Sequence, residues 1–109
     1  MDEMYGKIPV IKLDGRVVSD NAPDVKKRIQ DRLTEGYLNL VLDMSNVPFI
    51  DSSGLGTLVA SFRTVGAKGG VLLIAGLIPE VRALFQLTRL DKVFEIYETV
   101  DQAVESLQD

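Results

Sequence analysis

The chain has 109 residues, of which 46% are hydrophobic and 26% are charged, and it carries a net charge of −4. These values are typical of one soluble globular domain over residues 1–109, and the acidic balance disfavours non-specific binding to nucleic acid, which requires a basic surface. The chain has no cysteine and no histidine, which excludes disulfides, thiolate metal sites and the usual general base of a hydrolase. No apolar run approaches the roughly 20 residues of a membrane helix, so we expect a cytoplasmic protein without membrane insertion.

The first third of the chain predicts strands followed by one helix. Residues 8–13 form an apolar run typical of a strand, and Val17 with Val18 suggests a second, shorter strand. The helix is predicted to begin near Asn21, whose side chain can cap it, and to end at Gly36. Its apolar stripe repeats every four residues at Val25, Ile29 and Leu33.

The rest of the chain continues this alternation. Apolar runs predict further strands at 37–43, Val71–Ala75 and 93–97. Helices are predicted over 58–62 and beyond, after Pro79, and after Thr99, which opens a capping box with Gln102. Such alternation is typical of an α/β domain, here a small mixed, largely parallel sheet of about four to five strands with about four helices.

The most informative segment is the hexapeptide 51–56, Asp-Ser-Ser-Gly-Leu-Gly. It lies between a strand-like apolar run at 47–50 and the helix-like run at 58–62, so its hydroxyls are predicted at the start of a helix that follows a strand. The first turn of a helix carries unpaired N–H groups and a partial positive charge, which stabilise a nearby anion such as phosphate. The segment therefore indicates a serine hydroxyl placed where phosphorylation would change a surface.

A structural interpretation exists for each residue of the hexapeptide. Asp51 or Ser52 can cap the helix, and Gly54 and Gly56 can allow close packing or an unusual backbone angle. A single serine at a helix start is far more often a cap than a regulated site. The six residues together, with a strand before them and an apolar helix after them, form a much more specific pattern.

Residues 49–58 resemble the signature of bacterial anti-sigma factor antagonists, which are members of the STAS domain family. Three further parts of the chain are similar to the strands, helix and loop around this signature in the family: 38–47, then 70–77 followed by 81–85, and 87–94. The resemblance extends from about Gly15 to near the C-terminus, in order and without large gaps.

The resemblance implies a partner switch. The unmodified antagonist would bind an anti-sigma factor that is also a serine kinase, and the sigma factor would be released. Phosphorylation of the serine that follows the motif aspartate, here Ser52, would dissolve the complex, with Ser53 as the second choice of acceptor. A serine phosphatase of the PP2C type would reset the switch.

The resemblance also implies which residues contact the partner and whether the domain needs a cofactor. The residues expected at the partner-binding surface are Asp20, Asp51, Ser52, Ser53, Gly54, Leu55 and Gly56. No metal or organic cofactor is expected, because any Mg-ATP belongs to the kinase, and no direct contact with nucleic acid is expected.

The chain departs from the family pattern at two places. Many antagonists carry an acidic residue before the first helix, where this chain has Val18. Asp20 lies two residues later and either replaces that acidic residue in partner contact or helps to cap the helix, which is the interpretation that we favour. The strand that usually precedes residue 8 has only residues 1–7 available, so we expect it to be short or missing, and an open sheet edge can recruit another chain.

Two other functions are compatible with the sequence. One is a STAS scaffold subunit of a transport or stressosome-like complex, in which the serine is never phosphorylated. The other is an enzyme that uses Ser52 as a nucleophile beside Asp51. The sequence disfavours this enzyme, because it contains no histidine and no lysine within the motif to act as the base.

Overall fold

The computed structural model describes residues 2–108, which form five strands, four α-helices and one 3₁₀ helix. The strands are β1 (Asp2–Tyr5), β2 (Ile8–Asp14), β3 (Asn39–Asn46), β4 (Val71–Ala75) and β5 (Ile96–Tyr97). The α-helices are α1 (Ala22–Thr34), α2 (Ser52–Ala67), α3 (Pro79–Leu87) and α4 (Val100–Ser106). The 3₁₀ helix, Leu90–Lys92, lies between α3 and β5.

The strands form one sheet in the order β1-β2-β3-β4-β5. β1 pairs with β2 antiparallel, whereas every later pair of neighbours is parallel. Parallel neighbours need a crossover connection, and α1, α2 and α3 lie in the three crossovers. The predicted class, an α/β domain on a small mixed and largely parallel sheet, is confirmed.

Helices cover both faces of the sheet. α1, α2 and α3 pack on one face, where Leu42, Leu58 and Phe85 belong to the same buried cluster. α4 packs on the opposite face, where Val104 joins a second cluster with Val41. Because the central strands are buried on both faces, β3 and β4 are apolar along much of their length, and this pattern made them recognisable in the sequence. None of the helices formed by residues 2–108 is long and apolar enough to cross a membrane.

β1 is the strand that we expected to be short or missing, and it is present with four residues at one edge of the sheet. Asp2 connects this strand to α1, because its carboxylate oxygens lie 2.6 Å from Arg28 Nη2 and 3.3 Å from Arg32 Nη1. Arg28 Nη2 also donates to the carbonyl of Lys12 on β2, at 3.1 Å. One acidic side chain therefore joins the edge strand to the first helix.

Two strand-like segments near the hexapeptide are loops. Val17 and Val18 form no strand, and Val17 makes only an isolated parallel bridge with Ile50. Residues 47–50 also lie outside a strand, because β3 ends at Asn46. The two strand predictions are wrong for the same reason. The two segments form backbone hydrogen bonds with each other, as two adjacent loops, and do not join the sheet.

The last predicted strand, 93–97, is reduced to Ile96–Tyr97. The 3₁₀ helix before it holds the backbone away from the sheet, since the N–H groups of Val93 and Phe94 both donate to Leu90 O at 3.0 Å. Phe94 is then buried with the helices rather than paired with β4.

Candidate functional site

The hexapeptide 51–56 lies at the start of α2, beyond the C-terminal end of β3. Asp51 is the N-cap residue, with an extended backbone (φ −96°, ψ −178°), and Ser52 is the first helical residue. The carboxyl ends of the parallel strands meet at this edge of the sheet, where α/β domains commonly bind their ligands. The predicted position of the hydroxyls at a helix start is therefore confirmed.

Two loops meet beside the start of α2, and we call residues 15–21 and 46–51 the loop pair. Three backbone hydrogen bonds join them: Gly15 N to Asn46 O (2.9 Å), Val17 N to Phe49 O (3.0 Å) and Asp51 N to Val17 O (3.2 Å). The loop before α1 is thereby fixed against the hexapeptide, although the two are distant in the sequence.

Asp51 connects the helix to the loop pair through its side chain. Asp51 Oδ1 accepts from Gly54 N at 2.8 Å, which is the N-cap bond of α2. Asp51 Oδ2 accepts from Ser19 N at 3.2 Å, on the other loop. Of the two caps that the sequence allowed, Asp51 or Ser52, the structure has Asp51.

Ser52 and Ser53 are both exposed. Neither hydroxyl makes a hydrogen bond with any part of the chain that the structure describes. The first N–H groups of an α-helix have no partner within the helix, and the Asp51 side chain satisfies only that of Gly54. The site therefore presents two unengaged hydroxyls at the positive end of a helix of 16 residues.

The two glycines of the hexapeptide have different surroundings. A Cβ on Gly54 would lie 2.5 Å from Val17 O and 2.7 Å from Ile50 Cγ1, so glycine is required where α2 crosses the loop pair. A Cβ on Gly56 would meet nothing within 4 Å, and this residue is exposed. The fold thus explains Gly54 but gives no reason for Gly56, which costs about 1 kcal/mol relative to alanine inside a helix.

Leu55 lies half-buried on the same helix turn. With Val59 and Phe62 it forms a stripe at positions i, i+4 and i+7 that packs against the main core from α2 while remaining partly accessible. Phe49, immediately before the motif, is 50% exposed. Apolar surface therefore flanks the two serines on both sides in the sequence.

Asp20 lies in the loop pair, next to the residue whose N–H donates to Asp51. It is exposed and makes no side-chain hydrogen bond or ion pair within residues 2–108. The preferred interpretation of Asp20 as a helix cap is wrong, because Asn21 occupies the N-cap position of α1 and no side chain caps that helix.

Asn21 itself holds the loop rather than the helix. Its Oδ1 accepts from Val18 N at 2.8 Å, and its Nδ2 donates to Arg16 O at 2.6 Å. The prediction that its side chain caps α1 is therefore wrong. Val18, at the position where the resemblance to the family led us to expect an acidic side chain, is half-buried.

Sequence reasoning missed two residues of the site. Ser19 contributes its backbone N–H to Asp51, and any residue other than proline could supply that donor, so no signal in the sequence marks it. Phe49 was assigned to a strand-like apolar run, and its half-exposed position follows from the loop that replaces the strand. Within residues 2–108, no group of three or more acidic side chains is arranged to hold a metal ion.

Comparison with known proteins identifies the family. The family model described as the STAS domain matches residues 2–103. A Thermotoga neapolitana protein, whose name places it among the anti-sigma factor antagonists, is 33% identical over 90 residues, which are 82% of this chain and 80% of the relative.

Two solved structures have the same fold. The crystal structure of an anti-sigma factor antagonist from Thermotoga maritima superposes with a TM-score of 0.91 at 27% identity, over 97% of this chain and 92% of that chain. The Bacillus cell fate determinant SpoIIAA in its phosphorylated form superposes with a TM-score of 0.76 at 22% identity, over 99% and 98% of the two chains. With its hexapeptide at the start of α2, this chain belongs to the STAS domain family and groups with the anti-sigma factor antagonists of that family.

Proposed function

We propose that this domain binds an anti-sigma factor serine kinase while Ser52 is unmodified, and releases it when Ser52 carries a phosphate. The observation that carries the proposal is the Ser52 hydroxyl, which is exposed and unbonded on the first residue of α2 and follows an aspartate that already caps the helix. Because Asp51 does the capping, Ser52 is free to be a substrate.

A phosphate on Ser52 changes the charge of this surface by about −1.5 to −2 at neutral pH. It would stand directly after the Asp51 carboxylate, and in a docked complex it would also have to lose water. The free N–H groups at the start of α2 can hold it on the isolated domain, so release needs no unfolding. A coupling of about 3 kcal/mol would weaken the complex by roughly two decades, since about 1.4 kcal/mol corresponds to tenfold.

The surroundings of Ser52 are suited to close docking. Gly56 lies one turn further along α2 and leaves the helix backbone uncovered, which lets another protein approach closely. Phe49 and Leu55 offer partly exposed apolar area beside it, as the centres of protein interfaces usually do. Asp20 is unpaired within residues 2–108 and extends this surface along the loop pair.

Ser52 is preferred over Ser53 for two reasons. It is the serine that directly follows Asp51, and the resemblance to the family signature implies that this position is the acceptor. It is also the first helical residue, so a phosphate on it faces the N–H groups of the following residues. Ser53, one residue further along, remains the second choice and supplies the matched control.

The test is phosphorylation of the purified domain by candidate anti-sigma factor kinases with ATP, followed by mapping of the phosphate by mass spectrometry. We expect phosphate on Ser52, its loss in Ser52→Ala and its retention in Ser53→Ala. The phosphorylated domain should elute apart from the kinase in size-exclusion chromatography, and a PP2C-type phosphatase should restore the complex. An undisturbed complex after stoichiometric phosphorylation of Ser52 would refute the switch.

The same experiment addresses the other functions. If no such kinase transfers phosphate to the domain, a STAS scaffold that is never phosphorylated becomes the better account. Hydrolysis by the domain alone would support an enzyme with Ser52 as its nucleophile, which we do not expect because the hydroxyl has no hydrogen-bonded base within residues 2–108.

A further inference from the structure

The most exposed aromatic ring within residues 2–108 lies two positions before the hexapeptide. Phe49 is 50% exposed, whereas every other aromatic side chain in this part of the chain is buried or half-buried. Single exposed apolar side chains are common on protein surfaces, so this exposure indicates a binding site only together with independent features of the same residue.

The ring of Phe49 takes no part in the core. The other three phenylalanines pack together, since the ring of Phe94 lies 5.1 Å from that of Phe62 and 5.9 Å from that of Phe85. Phe49 belongs to neither of the two buried clusters, and it makes no aromatic ring contact within the part of the chain that the structure describes. The fold therefore gives no reason for an aromatic residue at this position.

The backbone of Phe49 is nevertheless held in place. Val17 N donates to Phe49 O at 3.0 Å, and Asp51 N donates to Val17 O at 3.2 Å, so the loop pair holds both ends of this short segment. The flanking side chains of Val47 and Ile50 are buried, at 0% and 2% exposure. A ring that is presented by a fixed backbone loses less conformational freedom when a partner binds it.

Phe49 and Ser52 are close enough to be covered by one partner. They are three positions apart, and three residues span at most about 11 Å even when the chain is fully extended. A standard interface covers about 800 Å² on each partner, which corresponds to a patch roughly 30 Å across. A kinase whose active site reaches the Ser52 hydroxyl therefore reaches Phe49 as well.

The exposed area of Phe49 is large enough to matter for affinity. An aromatic side chain buries about 150–250 Å² when it is fully covered, so roughly 100 Å² of this half-exposed ring remains available to a partner. Covering that area in an apolar pocket corresponds to a gain in affinity of roughly tenfold to a hundredfold. Aromatic residues are also enriched at the centres of protein interfaces.

We propose that Phe49 is the apolar anchor of the surface around Ser52, and that its ring fills an apolar pocket of the kinase while Ser52 is unmodified. This inference rests on the proposed function and adds to it the chemistry of the partner's surface. A phosphate on Ser52 would have to lose water inside the same covered area. The ring therefore leaves the pocket when Ser52 is phosphorylated.

The first test is calorimetry of the full chain with the anti-sigma factor kinase and ADP, so that no phosphate is transferred. The variants are Phe49→Ala and Phe49→Leu. The matched control is Leu38→Ala, which removes a side chain that is 42% exposed and lies at the opposite end of β3. We expect Phe49→Ala to weaken binding at least tenfold and Phe49→Leu to weaken it less, whereas Leu38→Ala should change the affinity less than twofold. All three should melt within about 3 °C of wild type, as surface substitutions usually do.

Phosphorylation kinetics separate docking from phosphate transfer. With ATP, Phe49→Ala should raise the KM of the kinase for the domain about tenfold and leave kcat unchanged, because the substitution removes binding area and leaves the Ser52 hydroxyl intact.

A second reporter follows the ring itself. The chain contains no tryptophan, so Phe49→Trp made with fluorinated tryptophan gives one fluorine NMR signal. We expect this signal to shift when the kinase binds and, once ATP is added, to move to the position of the free phosphorylated domain. In a Ser52→Ala background the bound position should persist after ATP is added. A signal that does not shift on binding would place the ring outside the interface.

The two proposals fail in different ways. If wild type binds and Phe49→Ala binds equally well, Phe49 is not the anchor and this inference alone is overturned. A melting temperature of Phe49→Ala far below that of wild type would also contradict it, because the ring would then serve the fold. If unmodified wild type binds no anti-sigma factor, the proposed function is overturned and this inference with it.

Discussion

The Asp51 carboxylate accepts a hydrogen bond from the backbone N–H of Ser19 at 3.2 Å, across 32 positions of the sequence. The other oxygen of the same carboxylate accepts from Gly54 N and so starts α2. One side chain therefore fixes both the helix that carries Ser52 and the loop that carries Asp20. The surface proposed for partner binding is built in advance, and a phosphate on Ser52 would be added directly beside the group that holds it together.

Removing this carboxylate should loosen both loops. We expect Asp51→Ala to lower the free energy of unfolding by about 1–2 kcal/mol, the usual cost of losing an N-cap with a further hydrogen bond. Asp51→Asn keeps an acceptor oxygen and should cost less. Chemical denaturation gives the free energies, and hydrogen exchange should become faster at the amides of Ser19 and Gly54.

Ser53→Ala is the matched control for Asp51→Ala, because it changes the same first turn of α2 without breaking a described hydrogen bond. Its stability should stay within about 0.5 kcal/mol of wild type, as for most surface substitutions. Unchanged exchange at Ser19 in Asp51→Ala would show that the loop pair is held by its backbone bonds alone.

Ser61 should be a weak point of α2. Its hydroxyl is buried without a hydrogen-bond partner, in a side chain that is 3% exposed. An unsatisfied buried hydroxyl is costly, and alanine is also the better helix former, so we expect Ser61→Ala to stabilise the domain by about 1 kcal/mol. Thermal denaturation measures this, with Ser53→Ala for comparison. Destabilisation instead would mean that the Ser61 hydroxyl has a partner such as a bound water.

The sequence was sufficient for the features that depend on local pattern. The apolar run of β4 and the stripe of α1 identified their elements because both are repeated over a whole element, and the hexapeptide identified its helix start. Thr99 also caps α4 as predicted, accepting from Gln102 N at 3.1 Å.

The sequence predictions that failed concern residues whose structure depends on contacts between distant segments. Val17 and residues 47–50 have strand-like composition, but their partners are each other, which no local pattern reveals. Asn21 is a residue type that commonly caps helices. Its side-chain amide instead bonds to a carbonyl and an N–H of the loop, so it is not available to the helix. The role of Asp2 in holding β1 on α1 was equally invisible, because its two arginine partners belong to another element.

Tyr5 should titrate above its ordinary pKa. The negative charge of Glu3 raises the pKa of the Tyr5 phenol, with smaller contributions from burial and from Asp101 and Asp43. Because the folded-state pKa is above the unfolded one, any stability linked to this proton is present at neutral pH and is lost as the pH rises through the folded pKa. Ring chemical shifts of Tyr5 followed by NMR should show the raised pKa, and Glu3→Gln should lower it. An unchanged Tyr5 titration in Glu3→Gln would exclude Glu3 as the cause.

Substitutions of the three glycines of α2 distinguish effects on stability from effects on partner binding. Gly54→Ala should destabilise by about 1–3 kcal/mol, because its Cβ would overlap the carbonyl oxygen of Val17. Gly56→Ala and Gly66→Ala both place a methyl group in open space, and each should stabilise by about 0.5–1 kcal/mol. Only Gly56→Ala should also weaken the anti-sigma factor complex, since Gly66 lies near the far end of the helix from Ser52. Denaturation and calorimetry on the same samples distinguish the two effects, and equal affinity in Gly56→Ala and Gly66→Ala would exclude the exposed backbone at Gly56 from the docking surface.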